Sequence, residues 1–326
     1  MINENNTSSK LCTQEEIKCG HFGNIGLFGF SSVGQNHKKN GTPGQDANYI
    51  KVVNNNHNVV IASIADGVGS CVLSHYGSSI ATKTATDYLA NIFHYIDIKK
   101  IDDKSIGELI RGAMRKALEE VEKEANLHQQ LPYSYQSTLT TAIYDGDSLY
   151  FGHIGDDGII ALTKNGLLQM VTQRHKGDEA SSLFPLQSGE KHWQVSKVSE
   201  PVDGIIMVTD GVLDAFVTNE VIGNLVYYPF FENAFKNNNS QNDSYDLGQH
   251  YLNRMNQPDF RQLVTDDLTF VSIVNPERIK SNPYKFDSVG YYKAIQRHKA
   301  QVKQALYGSD NTPKPKSTPD PHSFDY

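Results

Sequence analysis

The chain has 326 residues, 38% of them apolar, and 30 Lys and Arg against 37 Asp and Glu give a formal net charge of −7. That length allows one large core or two smaller ones, and the acidic balance excludes a broad phosphate-backbone footprint, so nucleic acid is not an expected partner. Cys12, Cys19 and Cys71 are odd in number and lack paired ligand spacing, which excludes a disulfide framework and a structural zinc site and fits a reducing cytoplasm. The N-terminus is polar and Asn-rich where a signal peptide needs an apolar run, and no stretch reaches the roughly 20 apolar residues of a spanning helix. A soluble, cytoplasmic protein with no membrane partner is expected.

In chain order, residues 1–20 read as a mobile segment. Ile25 to Phe30, Ala47 to Val53 and Val59 to Ala65 read as strands. From Ser74 to Ile96, apolar residues at Ala81, Ala85, Tyr88, Leu89, Ile92 and Phe93 keep the spacing of one helical face. A second helix is predicted from Ser105, where Ser-Ile-Gly-Glu108 matches a capping box, through Val121. Period two then takes over: Ser137 to Tyr144 and Ser148 to Ile154 are joined at Asp145-Gly146, and Ile159 to Lys164 and Leu167 to Thr172 at Asn165-Gly166. Such dipeptides favour tight hairpins, so this stretch reads as an antiparallel meander. Ile205 to Thr209 and Leu268 to Val274 add strands, with helical patterns at Thr218 to Val226 and Leu247 to Met255. The segregation of helices from antiparallel strands predicts an α+β fold. One main domain over 21–276 is expected, followed by an extension over 277–308 with a terminal helix from Val289 to Leu306, and a disordered tail at 309–326.

Four aspartate motifs border the apolar runs: Gly44-Gln45-Asp46-Ala47, Ala65-Asp66-Gly67-Val68, Thr209-Asp210-Gly211-Val212 and Thr265-Asp266-Asp267-Leu268. A strand that ends in Asp holds its carboxylate on a rigid rim. Carboxylates gathered there repel by about 4 kcal/mol per close pair at an effective dielectric near 20, so clustering points to a bound hard cation. Asp-Gly alone marks turns, and of the five such pairs those at Asp145, Asp157 and Asp203 are read as turns. Asp66 and Asp210 lead out of strands away from hairpins and are read as metal ligands, with Gly67 offering an unobstructed backbone carbonyl. Asp266 and Asp267 gain weight only in their company. Asp156, in Ile-Gly-Asp-Asp-Gly, fits a turn residue and an outer ligand equally.

These motifs in this order, with Ser137-Thr138 and Ile154-Gly155-Asp156, resemble the metal-dependent serine/threonine protein phosphatases of type 2C, the PPM family, and its compact bacterial members in particular. The resemblance runs from about Phe28 to Ile273. It implies a four-layer αββα sandwich, two antiparallel sheets flanked by helix pairs, and two or three Mg2+ or Mn2+ ions. Asp66 would bridge two ions and the Gly67 carbonyl would ligate one; Asp210 and Asp266 would bind the second, Asp46 would hold metal-bound water, and Asp156 with Asp210 would form a looser third site. Asp46, Asp66 and Asp210 are thereby the expected catalytic residues. The implied activity is hydrolysis of phosphoserine and phosphothreonine, a phosphoric monoester hydrolase reaction, by a hydroxide bridging two ions, on a phosphorylated protein and opposite a cognate kinase. Oxygen-only donors agree with Mg2+ or Mn2+ over zinc.

The chain departs from the family in two places. No arginine precedes Asp46, so His37, Lys38 or Lys39 is left to contact phosphate, His37 being the candidate retained. Val68 stands where many members carry a general-acid His, which leaves water, His37 or His75 for leaving-group protonation. These departures motivate a rival reading, a catalytically weak relative that binds a phosphoprotein as a signalling module. A third reading is a hydrolase of another phosphate ester. His153 and Trp193 are expected to be packing residues and Cys71 a small helix-start residue.

Overall fold

The computed structural model describes residues 16–174, 184–218, 225–226, 230–231, 234–235 and 244–283, with single positions 289, 292–293, 296–297 and 300. The chain divides into a main unit, Met1–Thr218 with Val226–Phe286, and a small one, Asn219–Leu225 with Asp287–Tyr326. In the small unit the backbone at 289, 292–293, 296–297 and 300 is helical; the remainder of the stretch from Val289 to Leu306 and the tail at 309–326 lie outside the described residues.

The first described strands of the main unit are β1 (Lys18–Phe22), whose first three residues fall in the segment read as mobile, and β2 (Ile25–Ser32). A short helix α1 (Gln35–Asn40), strands β3 (Ala47–Asn55) and β4 (His57–Ala65), and long helices α2 (Ser74–Tyr95) and α3 (Asp103–Leu127) follow. Then come β5 (Leu139–Tyr144), β6 (Leu149–Ile154), β7 (Gly158–Thr163), β8 (Leu168–Met170), β9 (Gln194–Lys197), β10 (Val202–Val208) and α4 (Asp210–Phe216). Short strands β11 (Val217–Thr218) and β12 (Leu225–Val226) precede α5 (Ser244–Met255), α6 (Pro258–Leu263), β13 (Leu268–Val274) and α7 (Pro276–Ser281).

The strands form an antiparallel six-stranded sheet, β1-β2-β13-β10-β7-β8, and an antiparallel five-stranded sheet, β3-β4-β5-β6-β9. Their apolar runs are continuous because both faces are covered. Along β10, Ile205 and Met207 turn inward between the sheets while Ile206 and Val208 turn toward helices; in β4, Val60, Ala62 and Ile64 face the other sheet and Val59 and Ile61 face α2 and α3. Leu247, Tyr251, Leu252 and Met255 of α5 cover the six-stranded sheet around Phe28 and Phe270. Layers of helix, sheet, sheet and helix result, the αββα sandwich implied by the resemblance.

Three local expectations are corrected. The meander is divided: β5–β6 is a hairpin of one sheet and β7–β8 of the other. The linker Gly155-Asp156-Asp157, with Gly155 at φ +115°, carries the chain across; period two is the same whichever sheet a strand joins, so the pattern alone left this open. Helix α3 starts at Asp103, two residues before the predicted site, because the Asp102 carboxylate accepts from Ser105 N at 2.9 Å and caps the helix. The ends of the predicted helix at Thr218 to Val226 are extended, and its middle lies outside the described residues.

Candidate functional site

Strand register gathers the acids. Ala47 pairs with Ala65, so Asp46 and Asp66 sit side by side at one end of β3 and β4. Ile64 pairs with Thr140, and Leu139 with Ile154, which brings the end of β6 alongside. In the other sheet Val208 pairs with Gly158 and with Phe270, and Leu268 pairs with Ser32. Asp156, Asp157, Asp210, Asp266, Asp267 and the turn carrying His37 therefore share one end of that sheet.

Hydrogen bonds show that the two sheet ends are the same end. Asp46, buried, accepts at Oδ2 from Thr209 Oγ1 at 2.7 Å and from Thr269 Oγ1 at 2.9 Å, both from the opposite sheet. Asp66, at the rim, is fixed through its backbone: its N–H donates to Thr138 Oγ1 at 2.7 Å, and its carbonyl accepts from Thr138 N at 2.8 Å. Thr138 in turn donates its hydroxyl proton to Asp157 Oδ2. Gly67 permits the close start of α2: a Cβ there would stand 2.8 Å from Ser74 Cβ and 2.9 Å from the Ser74 backbone.

The acids perturb one another. Burial, followed by Asp210, Asp46, Asp157 and Asp156, raises the Asp66 pKa well above the ordinary carboxylate range. Burial and then Asp267 do the same to Asp46. Asp157 is raised chiefly by its complete burial, against the Thr138 hydrogen bond. Asp210 is pushed up to about 7 by burial and by Asp156, Asp214 and Asp266. Such a set is costly without positive charge, and its all-oxygen donors suit hard divalent cations. The orphaned Oδ1 of wholly buried Asp157, which has no hydrogen-bond partner among the described residues, fits the same chemistry.

Two cationic side chains border the cluster. Arg174 Nη1 bonds Asp214 at 2.7 Å and Nη2 approaches Asp156 at 3.8 Å, with Asp214 also raising the arginine pKa against the effect of its burial. His37 Nδ1 lies 2.9 and 3.0 Å from the two oxygens of Asp267. Asp267 also accepts from Gly34 N and Gln45 N, so it staples both ends of the loop that carries His37. His37, Asp266 and Asp267 each bring one potential donor atom within 4.8 Å of the others. Both oxygens of Asp267 are taken by backbone N–H groups, which makes it an orienting group, whereas Asp266 is exposed at the rim.

Thus Asp46, Asp66, Asp156 and Asp210 come together, with Asp266 beside Asp210 and His37 at the margin; Lys38 and Lys39 are exposed. Two aspartates read as turns are not turns. Asp157 lies inside the cluster, and Asp203 lies within β10, bonded to Arg278 Nε at 3.3 Å and Asn282 Nδ2 at 2.6 Å. Asp145 does cap its hairpin, accepting from Asp147 N and Ser148 N. Sequence reasoning gave no role to Arg174 and read Asp157 as a turn; it placed Thr138, Thr209 and Asp267 inside the motifs but did not give them their hydrogen-bonding parts. His153, fully buried between Thr140 Oγ1 and the Gln173 carbonyl, and Trp193, packed against the α2–α3 face, have the packing roles expected.

The protein phosphatase 2C family model matches residues 33–254. Among solved structures, the catalytic domain of the serine threonine protein phosphatase PstP in complex with two manganese ions aligns over 77% of this chain and 97% of its own, at 17% identity and TM-score 0.53. Serine/threonine phosphatase Stp1 from Staphylococcus aureus aligns over 81% and 99%, at 14% identity and TM-score 0.51. A bacterial serine phosphatase aligns over 76% and 97%, at 15% identity and TM-score 0.51. No curated protein matches the chain. At these identities the structural likeness establishes the fold, and the family match supplies the rest: the strand-end aspartates, the paired sheets and well over half of the chain's length agree, and the chain belongs to the protein phosphatase 2C family.

Proposed function

We propose that this protein hydrolyses phosphoserine and phosphothreonine in protein substrates with two or three Mg2+ or Mn2+ ions held by Asp66, the Gly67 carbonyl, Asp210, Asp266 and Asp156, with Asp46 acting through water. The observation that carries this reading is the convergence of strand-end carboxylates whose pKa values are raised by burial and by one another. Held there, such ions would lower the pKa of water toward neutrality and neutralise charge on the attacked phosphoryl group. The chain's own residues set the geometry. Thr209 and Thr269 fix the Asp46 carboxylate, and Thr138 fixes the backbone of Asp66. Asp267 takes the Nδ1 side of His37 and presents Nε2 to the phosphate, the contact that the loop's missing arginine leaves open.

The substrate class follows from the family, and the reaction opposes a serine/threonine kinase. The acidic charge argues against nucleic acid, and among the described residues no helix is long and apolar enough to cross a membrane. Cys19 and Cys71 are free thiols, which supports a cytoplasmic setting.

The test is Mn2+-dependent phosphate release from a phosphopeptide and from para-nitrophenyl phosphate. Asp66→Ala and Asp210→Ala are expected to lower turnover by on the order of 10²-fold or more with the fold retained, since each removes one of several mutually repelling acids. Equal turnover by wild type and Asp66→Ala overturns the proposal. Retained phosphopeptide binding without any release would leave the signalling-module reading, and release from small phosphoesters alone would leave a different phosphoesterase.

A further inference from the structure

Arg261, on α6, is a buried cation, 3% exposed, that takes no part in the chemistry derived above. Burying a guanidinium is costly unless its donors are met. Here they are met by three stretches of chain. Nη1 donates to the Asp266 carbonyl at 2.8 Å. Nη2 serves Ser32 Oγ at 2.8 Å, Asn256 Oδ1 at 3.0 Å and the Val33 carbonyl at 3.2 Å, and Nε reaches Asn256 Oδ1 at 3.3 Å. Ser32 Oγ gives its own proton to Asn256 Oδ1 at 2.9 Å, so Asn256, just past α5, aims the fork.

The two carbonyls in its grip frame His37. Val33 precedes Gly34 and Gln35, whose N–H groups donate to the Asp267 carboxylate and, at 3.0 Å, to the Thr265 carbonyl. Asp266 precedes Asp267, which takes His37 Nδ1 at 2.9 and 3.0 Å. The two backbones meet here without side chains between them: a Cβ on Gly34 would stand 2.6 Å from the Asp266 carbonyl carbon and 2.7 Å from Asp267 N. A rigid planar fork fixes both carbonyls in direction as well as distance, whereas an ammonium on a flexible stem fixes neither angle.

We propose that Arg261 is a positioning residue for phosphate recognition. It clamps the backbone at Val33 and at Asp266 so that the Asp267 carboxylate meets His37 Nδ1, which leaves Nε2 turned to the substrate. The inference rests on the reading of His37 as the phosphate contact and says what holds that contact in place. Arg261 touches no substrate itself. It acts through two loops that strand order brings together, the one leaving β2 and the one entering β13.

The experiment uses the full-length protein with isotope-labelled histidine and the variants Arg261→Lys and Arg261→Gln. By NMR, wild type is expected to show a ring Nδ1–H signal protected from exchange, identified as His37 by its absence from His37→Ala, and both Arg261 variants should lose that protection. In hydrolysis of a phosphopeptide, Arg261→Lys should raise KM about tenfold, the size expected for a lost hydrogen bond to a charged group, and raise it more than it lowers kcat. Arg261→Lys combined with His37→Ala should be no worse than His37→Ala alone. A protected His37 signal in Arg261→Lys overturns the proposal, whatever happens to the melting temperature, because Arg261 would then be a structural staple only. Additive losses in KM overturn it as well. Should both Arg261 variants fail to fold, Asn256→Ala decides, since it keeps the guanidinium but removes the acceptor that aims it: the His37 signal is expected to lose protection, and an unchanged signal excludes the clamp. The NMR readout does not depend on turnover. A protein that releases no phosphate, yet loses the His37 signal with Arg261, would sink the proposed activity and leave the clamp standing.

Discussion

His37 and Asp267 are joined by two contacts of 2.9 and 3.0 Å, and the same carboxylate receives Gly34 N and Gln45 N from both ends of the intervening loop. If Asp267 acts through His37, His37→Ala and Asp267→Asn should each raise KM for a phosphopeptide about tenfold or more, as loss of a hydrogen bond to a charged group costs about 1.5–3 kcal/mol. The double variant should be no worse than the poorer single one, since the two changes remove one unit. Additive losses, or a lost Mn2+ ion in Asp267→Asn, would show that Asp267 has an independent role. At this scale the sequence revealed the residue types but not their partners. His37 and Asp267 lie 230 positions apart, and no local pattern distinguishes the orienting Asp267 from its exposed neighbour Asp266. The same blindness misplaced Asp157, because an Asp-Gly pair looks alike whether it turns toward solvent or into a buried cluster.

Among the elements, β13 shows where stability is concentrated. Phe270 is fully buried, stacked on Tyr251 at 5.7 Å and on Phe28 at 5.9 Å, so it joins α5 to the centre of the six-stranded sheet. Phe270→Ala is expected to cost about 3–5 kcal/mol in denaturant unfolding, whereas Asp102→Ala, which removes the cap of α3, should cost only about 1 kcal/mol. Comparable losses would mean that the aromatic stack contributes little beyond a surface cap. The elements were largely legible in the sequence: β2, β3, β4, β5, β6, β10, β13, α2 and α5 lie within a few residues of their predicted spans. Asp145-Gly146 and Asn165-Gly166 do turn hairpins, with Gly146 at φ +88° and Gly166 at φ +77°. The misses fell where tertiary placement decides, at the sheet change between β6 and β7 and at the extended ends of the stretch from Thr218 to Val226.

For the whole molecule, the gathered acids predict a stability profile. Asp46, Asp66, Asp157 and Asp210 hold protons more tightly in the folded state than in the unfolded chain. Their favourable contribution is therefore complete below the unfolded carboxylate pKa of about 3.9 and is lost as pH rises through the folded values, about 7 for Asp210. His75, lowered by burial, opposes this with a single half-buried group. Metal-free protein in EDTA should accordingly melt at a higher temperature at pH 5.5 than at pH 7.5, and Mn2+ should raise the melting temperature far more at pH 7.5. An EDTA melting temperature that is equal or lower at pH 5.5 would contradict the clustering. The sequence by itself determined the α+β class, most strands and helices, the acids at the strand ends and the family resemblance, because periodicity, turn chemistry and short motifs are local properties. Only the tertiary structure decided which sheet each hairpin joins, that Asp157 faces inward with one oxygen unmatched, and that Asp267 holds His37. Those facts depend on register and packing between segments such as His37 and Asp267, 230 residues apart, which no window along the chain contains.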